Sequence, residues 1–255
     1  MSLQTVLCYG DSNTWGRDPH SMARLPLESR WPEAMARELG ADVRVICEAL
    51  NGRTTVWEDP IEEHRNGKTY LSPCLLSHHP LDLVVLMLGT NDCKKRFSVS
   101  AFDIGRSVGL LLDMIQKSGC GPDGGAPQVL LVSPPPFGRM GDFAEMFEGA
   151  EEKCAGLPRY YREHAEQRGC RFFESGTVVR ASDGDGVHLD SADQVKLGRR
   201  WRRWCGRCWG RPGCRAEARP GPPSQTVPTC DVQASAAAMA GSSSSCRATG
   251  PLGSK

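Results

Sequence analysis

The chain has 255 residues and a formal net charge of +1, with 39% hydrophobic, 24% charged and 7% aromatic residues. That length supports one large hydrophobic core without disulfides or metals in its place, and that composition excludes a collagen, a coiled coil and a wholly disordered chain. The longest apolar runs, such as 83–88 and 129–132, fall far short of the ~20 residues a membrane helix needs, so no membrane partner is expected.

The small net charge hides an asymmetry. Residues 1–198 hold 21 Lys and Arg against 28 Asp and Glu, a net −7, while residues 199–255 hold 10 against 2, a net +8. The acidic body offers no clustered cationic face for nucleic acid, and none is expected as a partner. Twelve cysteines are scattered, seven of them (8, 47, 74, 93, 120, 154 and 170) in the body. An odd number, several inside apolar runs, reads as buried reduced thiols, and with a first strand already under way at residue 5 this predicts a cytoplasmic protein.

In chain order, short runs rich in Val, Ile, Leu and Phe alternate with longer stretches of helical spacing. Strands are predicted at 5–9, 43–49, 83–88, 128–133 and 170–173, each apolar enough to be covered on both faces. Helices are predicted at 31–39, 70–79, 101–117, 154–168 and 191–208. The alternation predicts a three-layer α/β/α, flavodoxin-like fold with five parallel strands, in which chemistry sits just beyond the carboxyl ends of the strands. Residues 1–205 are expected to form this domain. Residues 206–255, with Gly-Arg-Pro-Gly-Cys, Arg-Pro-Gly-Pro-Pro and a run of serines at 242–245, show no apolar period and read as a low-complexity, disordered basic tail.

Each strand end carries a block of interest. After the first comes Gly10-Asp11-Ser12-Asn13-Thr14-Trp15-Gly16, which places a serine where a helix can start and where backbone N–H groups favour negative charge. After the second, Asn51-Gly52-Arg53-Thr54 offers a bare backbone N–H at Gly52. After the third, Gly89-Thr90-Asn91-Asp92 can turn the Asn91 amide across the strand ends. The N–H of Ser12, that of Gly52 and the Asn91 amide make three donors, the set a tetrahedral oxyanion requires. Beyond the fifth strand, Asp183-Gly184-Asp185-Gly186-Val187-His188-Leu189 puts a carboxylate three residues before an imidazole, and Asp185 can fix the tautomer of His188 so that it serves as base to Ser12. Taken singly, each block has a plain structural reading as a cap or turn.

Together the four blocks resemble those of the SGNH (GDSL) hydrolases. The wider text, including Arg30-Trp31, Arg53-Thr54-Thr55, Leu86-Met87-Leu88-Gly89-Thr90-Asn91-Asp92 and Val132-Ser133-Pro134-Pro135-Pro136, resembles the bacterial arylesterase/acyltransferase (perhydrolase-type) branch over about residues 3–198. The resemblance implies a serine esterase with Ser12 as nucleophile, His188 as base, Asp185 as its orienter, and Ser12, Gly52 and Asn91 as oxyanion hole. It further implies no cofactor or metal, a small ester as substrate, some acyl transfer to alcohols or peroxide, and a homo-oligomer. The alternatives are a carbohydrate O-acetylesterase of the same fold and, outside enzymes, nucleic-acid binding through the basic tail.

The pocket is expected to be lined by Trp15, Pro135, Phe137 and Val187, which follow or interrupt the catalytic blocks, with Phe143 and Phe147 nearby. Arg17, Asn51 and Asn13 are polar groups able to hold water beside the nucleophile. Cys205, Cys208 and Cys214 lack the further ligands that a zinc site requires. Glu62 and Glu63 read as a solvated face.

Overall fold

The computed structural model describes residues 3–201. The elements run β1 (Gln4–Gly10), α1 (Ser12–Trp15), α2 (Trp31–Leu39), β2 (Val43–Ala49), α3 (Gly67–His78), β3 (Leu83–Met87), α4 (Ala101–Gln116), β4 (Gln128–Val132), α5 (Ala150–Gln167), β5 (Arg171–Phe173) and α6 (Ser191–Arg200). All five strands are parallel, in the order β2-β1-β3-β4-β5, a doubly wound sheet with its topological switch between β1 and β3.

Strand alternation divides the core into two layers. Leu7, Tyr9, Val84 and Leu86 face the layer formed by α3, α4 and α5, where Leu71, Leu75, Val108, Leu112, Leu157 and Tyr161 are buried. Val6, Cys8, Val85 and Met87 face the opposite layer, formed by Trp31 and Met35 of α2 with Leu197 of α6 and the adjoining Trp201. Residues of β1 and β3 are therefore buried on both faces, as their unbroken apolar runs predict.

The edge strands depart from that expectation. β2 is only half-buried along its length, and β5 is three residues long with two of them half-buried, because each has a neighbour on one side only. Cys47 and Cys170 are accordingly half-buried, and all seven body cysteines are free thiols. α3 starts three residues before the predicted position because Asn66 caps it, its side chain accepting from the Lys68 N–H at 2.9 Å. α5 starts four residues early, at Ala150. α6 is described to Arg200; the rest of the helix predicted to 208, the predicted tail at 206–255 and the Cys205, Cys208 and Cys214 cluster lie outside the described residues. Among the described residues, no helix is long and apolar enough to cross a membrane.

Candidate active site

β1 delivers the chain to the carboxyl edge of the sheet at Gly10. Asp11 then caps α1, its Oδ1 accepting from the Asn13 N–H at 2.9 Å, so that Ser12 opens the helix among its unpaired donors. Ser12 Oγ lies 2.9 Å from His188 Nε2. On the other side of the ring, His188 Nδ1 lies 2.5 Å from Asp185 Oδ2, and Asp185 Oδ1 accepts from the N–H groups of Val187 and His188 at 2.8 and 2.9 Å. Burial acts to raise the Asp185 carboxyl, but the His188 ring and these two N–H groups outweigh it and hold the group below the ordinary carboxylate value. An ionised Asp185 requires the proton on Nδ1, which leaves the Nε2 lone pair facing the serine.

Ser12 and His188 are 176 residues apart, and Asn13 joins their segments. Its Nδ2 donates to the Val187 carbonyl at 3.1 Å and its Oδ1 accepts from the Leu189 N–H at 3.0 Å. Gln194 of α6 donates to the Asn13 carbonyl at 2.8 Å and accepts from the Trp31 N–H at 3.0 Å. Asn13 and Gln194 are fully buried. The expectation that Asn13 holds water is therefore corrected: its amide is spent on the His188 loop.

Gly52 and Asn91 border the same cavity as Ser12 and His188. Gly52 has φ +79°, a conformation that side-chain-bearing residues adopt only under strain, so the position favours glycine and its backbone is bare. Asn91 is oriented by one amide hydrogen, which it donates to the Arg53 carbonyl at 3.1 Å, leaving the other for a ligand. Arg53 fixes both, since its guanidinium donates to the carbonyls of Gly10 and Glu48 at 3.0 and 2.6 Å and lies 4.3 Å over the Tyr9 ring. Beyond the position of Arg53 after Gly52, no sequence signal marks this bracing role.

The cavity itself is about 140 Å³. Phe143, Met146, Phe147 and Val187 form its apolar wall, with the Phe143 ring edge-on to His188 at 6.3 Å. Of the expected lining, Trp15, Pro135 and Phe137 are not part of it. Trp15 lies under the Arg24 guanidinium, 4.8 Å from ring to charge; the buried Pro135 carbonyl faces the Cys154 thiol; and Phe137 stands behind the wall, tilted against Phe147 at 5.3 Å, and faces a separate cavity.

The polar wall consists of Arg17, Asn51, Glu62 and Lys94. The solvated face expected of Glu62 and Glu63 holds for the exposed Glu63 but not for Glu62, whose Oε1 accepts from Lys94 at 3.0 Å and whose Oε2 pairs with Arg65 at 3.5 Å, while Lys94 and Arg96 also reach the buried Asp59. These charges come from aperiodic segments that fold around one another, so no local pattern announces them.

Beneath the site lie two buried acids. Burial pushes the Asp11 carboxyl up to about 6 against the Asn13 N–H. It pushes Asp92 to about 6 as well, against hydrogen bonds from the Thr55 hydroxyl and N–H and with the Asp11 charge adding to the rise. Among the described residues one trio has metal-ligand proximity, Glu48, Cys74 and His78, within 4.8 Å of one another. Glu48 and His78 already pair at 2.8 Å, and burial pushes the Cys74 thiol to about 12, which disfavours a thiolate ligand.

Residues 8–211 match the GDSL-like Lipase/Acylhydrolase family. An arylesterase of Vibrio mimicus is 27% identical over 190 residues, spanning 72% of this chain and 80% of that protein. Two solved structures superpose closely. The aryl esterase of M. smegmatis is 38% identical with a TM-score of 0.76, and Est24, a carbohydrate acetylesterase of Sinorhizobium meliloti, is 39% identical with a TM-score of 0.77; each match covers 80% of this chain and 98% of the other.

Proposed function

This chain belongs to the GDSL-like lipase/acylhydrolase family and is a carboxylic ester hydrolase of the arylesterase or acetylesterase type, and from that premise we propose that it cleaves short-chain acyl and aryl esters through an acyl-enzyme on Ser12. The observation that carries this reading is the continuous hydrogen-bonded line from Ser12 Oγ through His188 to Asp185. In the first half-reaction His188 Nε2 takes the hydroxyl proton as Ser12 Oγ attacks the ester carbonyl. The tetrahedral oxyanion is received by the N–H groups of Ser12 and Gly52 and the free amide hydrogen of Asn91. Collapse breaks the ester bond, and the imidazolium returns its proton to the departing alcohol or phenol. Water, activated by the same imidazole, then releases the acid. The small cavity favours short acyl groups, and its apolar wall of Phe143, Met146 and Phe147 favours a share of transfer to alcohols or peroxide.

The assay that tests the reading is 4-nitrophenyl acetate hydrolysis by Ser12→Ala, which removes the nucleophile from a helix start without touching the core. A folded Ser12→Ala protein is expected to show no turnover above background. Wild-type-like rates would remove Ser12 from the mechanism. A second reading, carbohydrate O-acetylesterase, is favoured by the charged wall of Arg17, Glu62 and Lys94, and faster release of acetate from acetylated xylan than from the nitrophenyl ester would select it.

A further inference from the structure

The polar wall of the cavity contains a cation with no use in ester cleavage by Ser12, His188 and Asp185. Arg17 follows α1 closely, and its backbone N–H donates to the carbonyl of Ser12 at 3.0 Å, which ties its position to that of the nucleophile. Its side chain is half-buried and lines the cavity beside Ser12 and His188. Its Nε is buried without a hydrogen bond, and the guanidinium forms no ion pair among the described residues. The neighbouring Arg24, by contrast, is engaged, with its Nε on the Trp15 carbonyl at 2.9 Å and its charge over the Trp15 ring.

Every other charged group in and behind the wall has an ion-pair partner, with Arg96 sharing Asp59 at 3.0 Å. Lys94 is almost fully buried and is neutralised by Glu62 at 3.0 Å and Asp59 at 3.4 Å, and Arg65 adds a second partner to Glu62. Arg17 is left as the unmatched charge on the lining. A guanidinium holds its proton at all physiological pH values and presents a planar fork of donors matched to a carboxylate. The Nε is closed to solvent, so the donors offered to a ligand in the cavity are the terminal nitrogens of the guanidinium, which make no hydrogen bond or ion pair among the described residues.

We infer that Arg17 selects esters that carry a carboxylate, in the acyl part or in the alcohol part, and that the preferred substrate of this cavity is a mono-anionic ester. The inference rests on the esterase reading and adds to it the charge of the substrate. No new chemical step is involved. The carboxylate sits on the Arg17 fork while Ser12 attacks the ester carbonyl, and the interaction is made in the ground state as well as in the transition state, so it acts mainly on KM.

Two matched pairs of probes test it, one for each end of the ester: mono-4-nitrophenyl succinate against its methyl ester, reading nitrophenolate at early times, and 4-acetoxybenzoate against 4-acetoxybenzamide. Arg17→Gln is compared with wild type, so that differences in intrinsic reactivity within a pair cancel. The ratio of kcat/KM for the anionic over the neutral probe is expected to fall about 10- to 100-fold in Arg17→Gln for at least one pair, chiefly through KM. Arg17→Lys is expected to retain an intermediate ratio, because it keeps the charge but loses the fork. Wild-type enzyme provides a measurement independent of any variant: raising the salt concentration is expected to lower kcat/KM for the preferred anionic probe and leave its neutral partner unchanged. Ratios unchanged by Arg17→Gln in both pairs, or wild-type rates on both anionic probes that ignore salt, would overturn the inference. Hydrolysis of the neutral probes by wild type would leave the esterase reading standing in that event, whereas inactivity on all four would bring down the esterase reading itself.

Discussion

Asn91 uses one amide hydrogen to hold the Arg53 carbonyl and keeps the other for the cavity. A donor fixed in that way meets an oxyanion better than the trigonal carbonyl that precedes it, so its loss is felt in the transition state. Asn91→Ala is expected to lower kcat by about 10²–10³ with little change in KM; steady-state kinetics on 4-nitrophenyl acetate check this, and an effect confined to KM would make Asn91 a binding residue. The neighbouring Asp92 makes a different prediction. Its carboxyl is raised to about 6 from an ordinary 3.8, so the folded state holds an extra proton between about pH 4 and 6, and stability falls as pH rises through that window. Asp185, held below its ordinary value, acts in the opposite sense, and its contribution is lost only at lower pH. Asp92→Asn keeps an acceptor for the Thr55 N–H and removes the charge. Its stability relative to wild type is therefore expected to be better at pH 8 than at pH 4.5, by on the order of 2 kcal/mol, as read by denaturant unfolding at the two pH values. An equal difference at both would show that Asp92 is not the group that titrates.

At the scale of elements, α6 controls how the imidazole loop sits, because Gln194 binds both the Trp31 N–H at the start of α2 and the Asn13 carbonyl. The two helices approach closely at Gly198, where a Cβ would meet the Ala34 Cβ and the Trp31 carbonyl at 2.5 Å and the Met35 nitrogen at 3.0 Å. Backbone atoms cannot yield as a flexible side chain does. Gly198→Ala is expected to cost about 1–3 kcal/mol, lowering Tm by several degrees in a thermal melt; an unchanged Tm would mean that the helices separate freely. The strands and loops differ in how far their sequence reveals them. β1 and β3 are legible because strands covered on both faces are apolar without a break, and the residues around Ser12, Asn91 and His188 are legible because the doubly wound topology puts chemistry beyond the strand ends. The half-exposed edges are not, since apolar runs do not reveal which strand ends a sheet. The placement of Glu62, Lys94 and Arg17 around one cavity is hidden because a wall built from loops has no period, and aromatic residues near the catalytic blocks in sequence, such as Trp15, pack elsewhere.

For the molecule as a whole, the question is where the working unit ends. Ser12, Asn13, Gly52, Asn91, Asp185 and His188 all lie within residues 12–188, and the last described anchor is Trp201, fully buried against Trp31 at 6.1 Å and Phe173 at 5.0 Å between ring centres. Both solved relatives match over 98% of their own length using 80% of this chain. The family match reaches residue 211. Removing residues 211–255 is therefore expected to leave kcat/KM on 4-nitrophenyl acetate within about twofold and Tm within a few degrees, since no described core contact is lost. The basic character of the chain is concentrated earlier, since residues 211–255 hold 5 Lys and Arg against 2 Asp and Glu, a net +3 of the +8 carried by residues 199–255. A salt-sensitive shift of nucleic acid by the full chain, lost on removing residues 206–255, would give that charge a role separate from ester cleavage. Aggregation or loss of activity on truncation would show instead that the last helix depends on residues 211–255, and would move the catalytic boundary beyond residue 211.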